Sequence, residues 1–170
     1  MLKIQAIAAI ALTLLATVRA DGGQTVAIHS ATDFCLMIPR DPAKGVAESE
    51  DDAYARCLNA DTALSMNAQT LPDGFILSAY YATGDKYVQV TGKIDPMVIG
   101  LRKHDEGGQN DLHAPVGSAC QGYASYVQLL EPDNGNFCIR CCHHGGDCPT
   151  GRSQYGCESV IPGQYESSSN

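Results

Sequence analysis

Along much of this chain apolar and polar residues alternate one by one, and the three-to-four spacing of a helix is scarce. Between residues 24 and 30, Val26 and Ile28 fall on one face and Thr25, Ala27 and His29 on the other, which predicts a strand. A short turn, Ala31-Thr32-Asp33, leads to the apolar run 34–38, the returning strand of a hairpin, and Pro39 and Pro42 end it because proline cannot donate to a ladder. Residues 75–81 and 87–91 predict a second hairpin around Ala82-Thr83-Gly84-Asp85, and 97–101 a further apolar strand. The stretch 123–130 alternates again, with Tyr123, Ser125, Val127 and Leu129 on one face and Tyr126, Gln128 and Leu130 on the other. A turn at 131–136, rich in Pro, Asp, Asn and Gly, hands over to a strand at 137–140, and 159–162 reads as a last one. Helical signals concentrate at 48–58: Ser49 with Asp52 three residues on resembles a capping box, and Tyr54, Cys57 and Leu58 share a helical face. Stretches 59–73 and 102–115 read as polar loops. The fold class is therefore mainly β: a single compact, disulfide-stabilised antiparallel sandwich or barrel with at most one short helix.

The N-terminus changes the picture by setting a compartment. Lys3, the apolar run 4–18 and Val18-Arg19-Ala20 make residues 1–20 a secretory signal peptide, cleaved after Ala20. The apolar run is shorter than the ~20 residues a membrane span needs. Residues 21–166 then form one secreted β-rich domain, and 167–170 a frayed polar tail. Losing Lys3 and Arg19 with the leader takes the formal charge from −8 to −10. So acidic a chain repels phosphate backbones and anionic bilayers, which argues against nucleic acid and membrane as partners. It leaves a polysaccharide or an extracellular protein. All eight cysteines (Cys35, Cys57, Cys120, Cys138, Cys141, Cys142, Cys148 and Cys157) lie beyond the leader, and an even count in an exported chain points to disulfides.

Three stretches together carry a family resemblance: Thr32-Asp-Phe-Cys-Leu with the prolines after it, Tyr87-Val-Gln-Val-Thr-Gly-Lys-Ile-Asp95, and Phe137-Cys-Ile-Arg-Cys-Cys with Cys148 and Cys157. The chain resembles fungal secreted cysteine-rich proteins of the macrophage-activating glycoprotein-like group. That resemblance implies an extracellular or cell-wall location and carries no catalytic residues over.

Candidate chemistry falls into four groups. The sulfurs at 138, 141, 142, 148 and 157 are disulfides, with pairing open among many connectivities, or in part a zinc site with His143 and His144; export favours disulfides. Adjacent Cys141 and Cys142 point in different directions and need separate partners, and Cys120 is expected to tie into this cluster. His143 and His144, followed by two glycines, are an alternative weak metal site. The loop 104–113 is the densest ionisable stretch: Asp105, Glu106 and Asp111 are candidates for an acid–base pair on a glycan, which needs carboxyls ~5–9.5 Å apart, or for calcium, against the plain reading of a solvated loop. Tyr80, Tyr81, Tyr87 and Tyr126 lie on predicted strands, where an outward tyrosine stacks on a sugar ring; alternation puts Tyr80 and Tyr81 on opposite faces. Gly-x-Ser-x-Gly, P-loop and His-Glu-x-x-His motifs do not occur, so no cofactor is expected. The leading functional expectation is a non-catalytic extracellular or wall-associated protein with polysaccharide binding. The alternatives are a glycan-active hydrolase using the 104–113 carboxylates and a secreted effector or antigen that binds a host protein.

Overall fold

The computed structural model describes residues 24–167; the leader expected at 1–20 and residues 168–170 of the tail lie outside the described residues. Eleven strands make up the described region. They are β1 Thr25–Val26, β2 Ile28–Ser30, β3 Asp33–Ile38, β4 Tyr54–Cys57, β5 Gln69–Thr70, β6 Ile76–Gly84, β7 Tyr87–Ile94, β8 Gly108–Asp111, β9 Ala119–Cys120, β10 Ser125–Glu131 and β11 Asn136–Cys142. The helices are short: α1 Ala60–Ser65 and a single turn, α2 Gly156–Val160. Strands β6-β7-β11-β10-β8 form an open antiparallel sheet, β2-β3-β4-β5 a second sheet, and β1 with β9 a parallel pair. Among the described residues no helix is long and apolar enough to cross a membrane.

The five-stranded sheet is buried on both faces at its centre, and the period-two alternation of β10 and β11 sorts its side chains between two cores. Tyr126 and Leu130 join Phe137, Ile139 and Cys141 in the larger core, with Phe34, Leu36 and Phe75. Val127 and Leu129 join Cys138 and Cys142 in a smaller one, with Cys157, Val160, Ile161 and Tyr165. Two contacts bind the sheets across the larger core. The Phe34 and Phe137 rings stack with centroids 5.5 Å apart. The fully buried Gln128 amide accepts from Met37 N–H and donates to Met37 C=O, both at 2.7 Å, so it satisfies a backbone donor and acceptor as a neighbouring strand would.

The smaller core is closed by a strap, residues 156–166, laid over the outer face of the sheet and tied mainly by side chain–backbone bonds. Gln89 Nε2 donates to Pro162 O (2.9 Å), Thr91 Oγ1 to Gln164 O (2.8 Å) and Ser78 Oγ to Glu166 O (2.6 Å).

Five local expectations are corrected. Residues 48–58 are not a helix: a 3-10 turn, Ala47–Asp52, leads through the buried Ala53 into β4, which pairs with β3 and turns Ala55 and Cys57 into the larger core. Ser49 Oγ caps nothing there. The helix lies instead in the supposed loop, at α1, where Asn59 Oδ1 accepts from the N–H groups of Asp61 and Thr62. Residues 97–101 are no strand, since Asp95 caps a 3-10 turn with Pro96 in its first position and Gly100, at φ 77°, ends it. The strand expected at 159–162 is the end of α2 and the middle of the strap, while the loop 102–115 contains β8.

Candidate functional site

All eight cysteines pair: Cys35 with Cys57, Cys120 with Cys141, Cys138 with Cys157 and Cys142 with Cys148. Cys141 and Cys142, neighbours on β11, face opposite sides of the sheet, so each carries its bridge into a different core. With every sulfur engaged no thiolate remains to hold zinc, and the zinc reading is replaced by disulfides. His143 and His144 are exposed; the His143 ring lies 4.8 Å from that of Tyr123. Among the described residues no three or more of His, Cys, Asp and Glu gather where they would hold a metal ion.

The acidic loop divides its carboxylates between separate tasks. Asp105 accepts from Val46 N–H (2.8 Å) and Gly107 N–H (2.9 Å), pinning the loop to the 3-10 turn. Asp111 is buried and accepts from Gln109 Nε2 (2.9 Å) and His113 N–H (2.7 Å). Glu106 alone of the three lines an open groove of about 500 Å³, together with Glu50, Glu131, Asp133 and Tyr155. Burial pushes the carboxyl of Glu50 above its ordinary value, against the hydrogen bond from Gln109 N–H. Burial also raises Glu131, although its Oε1 accepts from Cys157 N–H (3.0 Å) and its Oε2 from Asn136 Nδ2 (3.4 Å). Glu50 and Glu131 were not legible as groove residues: one sits in a run of acids and the other at the end of an apolar strand.

The tyrosines separate by burial. Tyr126 is fully buried and its hydroxyl bonds Ser118 Oγ (2.8 Å), so it packs the core and presents no ring to a ligand. Burial raises its phenol well above the ordinary range. Tyr80, Tyr81 and Tyr87 converge on a second groove, of about 540 Å³, at the edge of the five-stranded sheet. Register places Tyr80 opposite Thr91 on the strap face and Tyr81 opposite Val90 on the core face, so the groove wraps the strand edge. Tyr80 donates to Glu166 O (3.3 Å), and Tyr87 lies under the Arg140 guanidinium, 4.2 Å from ring centre to Cζ. Arg140 in turn donates to Gln89 Oε1 (2.9 and 2.7 Å), which fixes the Gln89 amide and through it Pro162 on the groove's rim. The rim also holds the exposed Gln164. Sequence reasoning missed the strap side, because an irregular segment held by other residues' side chains leaves no periodicity.

The fold and its sites define a disulfide-rich, mainly β protein with a tyrosine-lined groove at one sheet edge and no free thiol among its cysteines. The chain is similar to two curated proteins of Mycosarcoma maydis. It is 30% identical to Appressorium protein ROW1 over 162 residues, 84% of this chain and 37% of that protein. It is 29% identical to Appressorium protein ROW2 over 160 residues, 84% of this chain and 54% of that one. The chain thus spans roughly a third to a half of the length of these relatives, and fungal appressorium proteins are its distant homologues. No family model matches the chain, and no solved structure does.

Proposed function

We propose that this chain is a secreted, non-catalytic protein of the fungal cell wall or surface that binds a polysaccharide in the tyrosine groove. The observation that carries the reading is the convergence of Tyr80, Tyr81 and Tyr87 on one groove, where Arg140 braces Tyr87 and the strap's Glu166 carbonyl accepts from Tyr80. Rigid tyrosines lose little conformational freedom on binding, and their faces suit the apolar side of a sugar ring while amides such as Gln164 take its hydroxyls. The similarity to appressorium proteins and the resemblance to the macrophage-activating glycoprotein-like group support a surface location. So do the leader-like N-terminus and the four disulfides, which persist outside the cell. The test is titration of the folded protein with soluble chitin and β-glucan oligosaccharides. Tyr81→Ala and Tyr80→Ala should each weaken binding about tenfold or more, the worth of one lost ring stack. Binding that neither substitution weakens would move the site elsewhere.

A hydrolase reading has one observation of its own, the two carboxyls raised by burial, Glu50 and Glu131, in the groove that Glu106 shares. It expects sugar release that Glu50→Gln, Glu106→Gln or Glu131→Gln abolishes while the fold persists. Retained release in all three would end it.

A further inference from the structure

Strand β6 is the outermost strand of the five-stranded sheet and pairs with β7 alone. The two-residue connection Asp85-Lys86 makes Gly84 and Tyr87 the closing hydrogen-bonded pair, after which bonded and non-bonded pairs alternate. Ala79, Tyr81 and Thr83 therefore turn their N–H and C=O groups away from β7. Among the described residues no hydrogen bond from another element reaches those groups.

Proteins blunt such edges with lysine, proline, a bulge or a covering segment. The bulge of β6 comes at its start, where the register shifts between Ile76 and Ser78. Beyond it, among the described residues, the stretch 79–84 carries none of these devices: it contains no charged residue and no proline, residues 81–84 are exposed, and Tyr81 is 39% exposed despite its size.

We infer that β6 is a self-association edge, pairing antiparallel with β6 of a second copy about a two-fold axis through Tyr81. Two features select a second copy over a foreign segment, and a third favours any added strand. The edge is self-complementary: with Tyr81 opposite Tyr81 of the second copy, Ala79 stands opposite Thr83 and each pair exchanges N–H···O=C bonds between small side chains. Charge points the same way. The chain carries a formal −8, so two copies repel over most of their surface, yet this strand brings no charge into the contact and offers no carboxylate to a basic peptide. The pairing also continues an existing ladder, turning two five-stranded sheets into one. Because the axis is perpendicular to the sheet, the strap faces of both copies, with Tyr80 and Tyr87, point to the same side. A polysaccharide that contacts Tyr81 would compete with the second copy for this edge, so the association is read in its absence.

The test is sedimentation of the oxidatively folded protein, residues 21–170, up to about 0.5 mM, since so small an interface belongs to the weak class. The weight-average mass should climb from monomer toward dimer. Thr83→Pro removes an outward N–H without touching the β7 ladder, and Tyr81→Lys sets like charges opposite each other; each should stay monomeric throughout. Amide exchange at Ala79, Tyr81 and Thr83 of the unsubstituted protein should slow with rising concentration, which gives the answer even where a variant folds poorly. A monomer at every concentration overturns the inference. So does a dimer that forms without protecting these amides, because it uses another surface.

Discussion

The smallest features that decide this fold are single polar or missing side chains. Gln128 occupies a place in the larger core where leucine would pack well, but its amide is the partner of both Met37 backbone groups. Gln128→Leu leaves a buried N–H and a buried C=O unmade, at a cost of about 3 kcal/mol, to be read as a lower midpoint in denaturant with an unchanged slope. Gly92 closes the Tyr-Val-Gln-Val-Thr-Gly stretch for a steric reason. A Cβ there would lie 2.0 Å from the Ser78 carbonyl oxygen and 3.0 Å from the Phe137 ring. Gly92→Ala should therefore cost several times the ~1 kcal/mol of an ordinary glycine replacement, and a melt within a few degrees of the parent would contradict this.

Glu131 and Glu50 set a pH dependence at the same scale. Burial raises both carboxyls above 4.5, so the folded state holds their protons more tightly than the unfolded chain does. Their contribution is fully present below pH 4.5 and is lost as pH rises through the raised values. Melting temperature should fall over that window toward neutrality, and Glu131→Gln should flatten the fall. A slope unchanged in the variant would remove Glu131 from the explanation.

Elements show how far the sequence could be read. The hairpins β6–β7 and β10–β11 were legible because their alternation and turn residues agree. The stretch 48–58 misled because Tyr54, Cys57 and Leu58 fit a helical face while Ala53, Ala55 and Cys57 fit a strand, and pairing with β3 through the Cys35–Cys57 bridge decides for the strand. At 97–101 the helix signals Asp95, Pro96 and Gly100 were present and outweighed by apolar content. The strap had no local signal: its position depends on Gln89, Thr91 and Ser78, which lie far from it in sequence. Its anchor is Cys138–Cys157. Replacing both cysteines by alanine should cost about 3 kcal/mol, the scale for a loop of this length, and speed amide exchange in the strap before the rest of the sheet. Uniformly faster exchange would mean that the strap is not a separate unit.

On the scale of the whole molecule, four bridges distributed over both cores and an acidic exterior suit a protein that works outside the cell. Of the candidate chemistry, the tyrosine edge was half legible. Alternation separated Tyr80 from Tyr81, but only the tertiary fold shows that Tyr126 is buried while Tyr87 joins the groove. The carboxylates of the 104–113 loop were nominated by density alone, and the fold spends Asp105 and Asp111 on hydrogen bonds within the chain.

The most direct measurement mixes residues 21–170, oxidatively folded, with insoluble chitin, β-glucan and cellulose, and reads both the protein lost from solution and the soluble sugar released. The expected result is depletion on at least one polymer, weakened by Tyr81→Ala, with no sugar released. Released sugar would contradict the non-catalytic reading and turn attention to Glu50, Glu106 and Glu131. Absence of depletion on all three would contradict polysaccharide binding and make an extracellular protein the partner to seek.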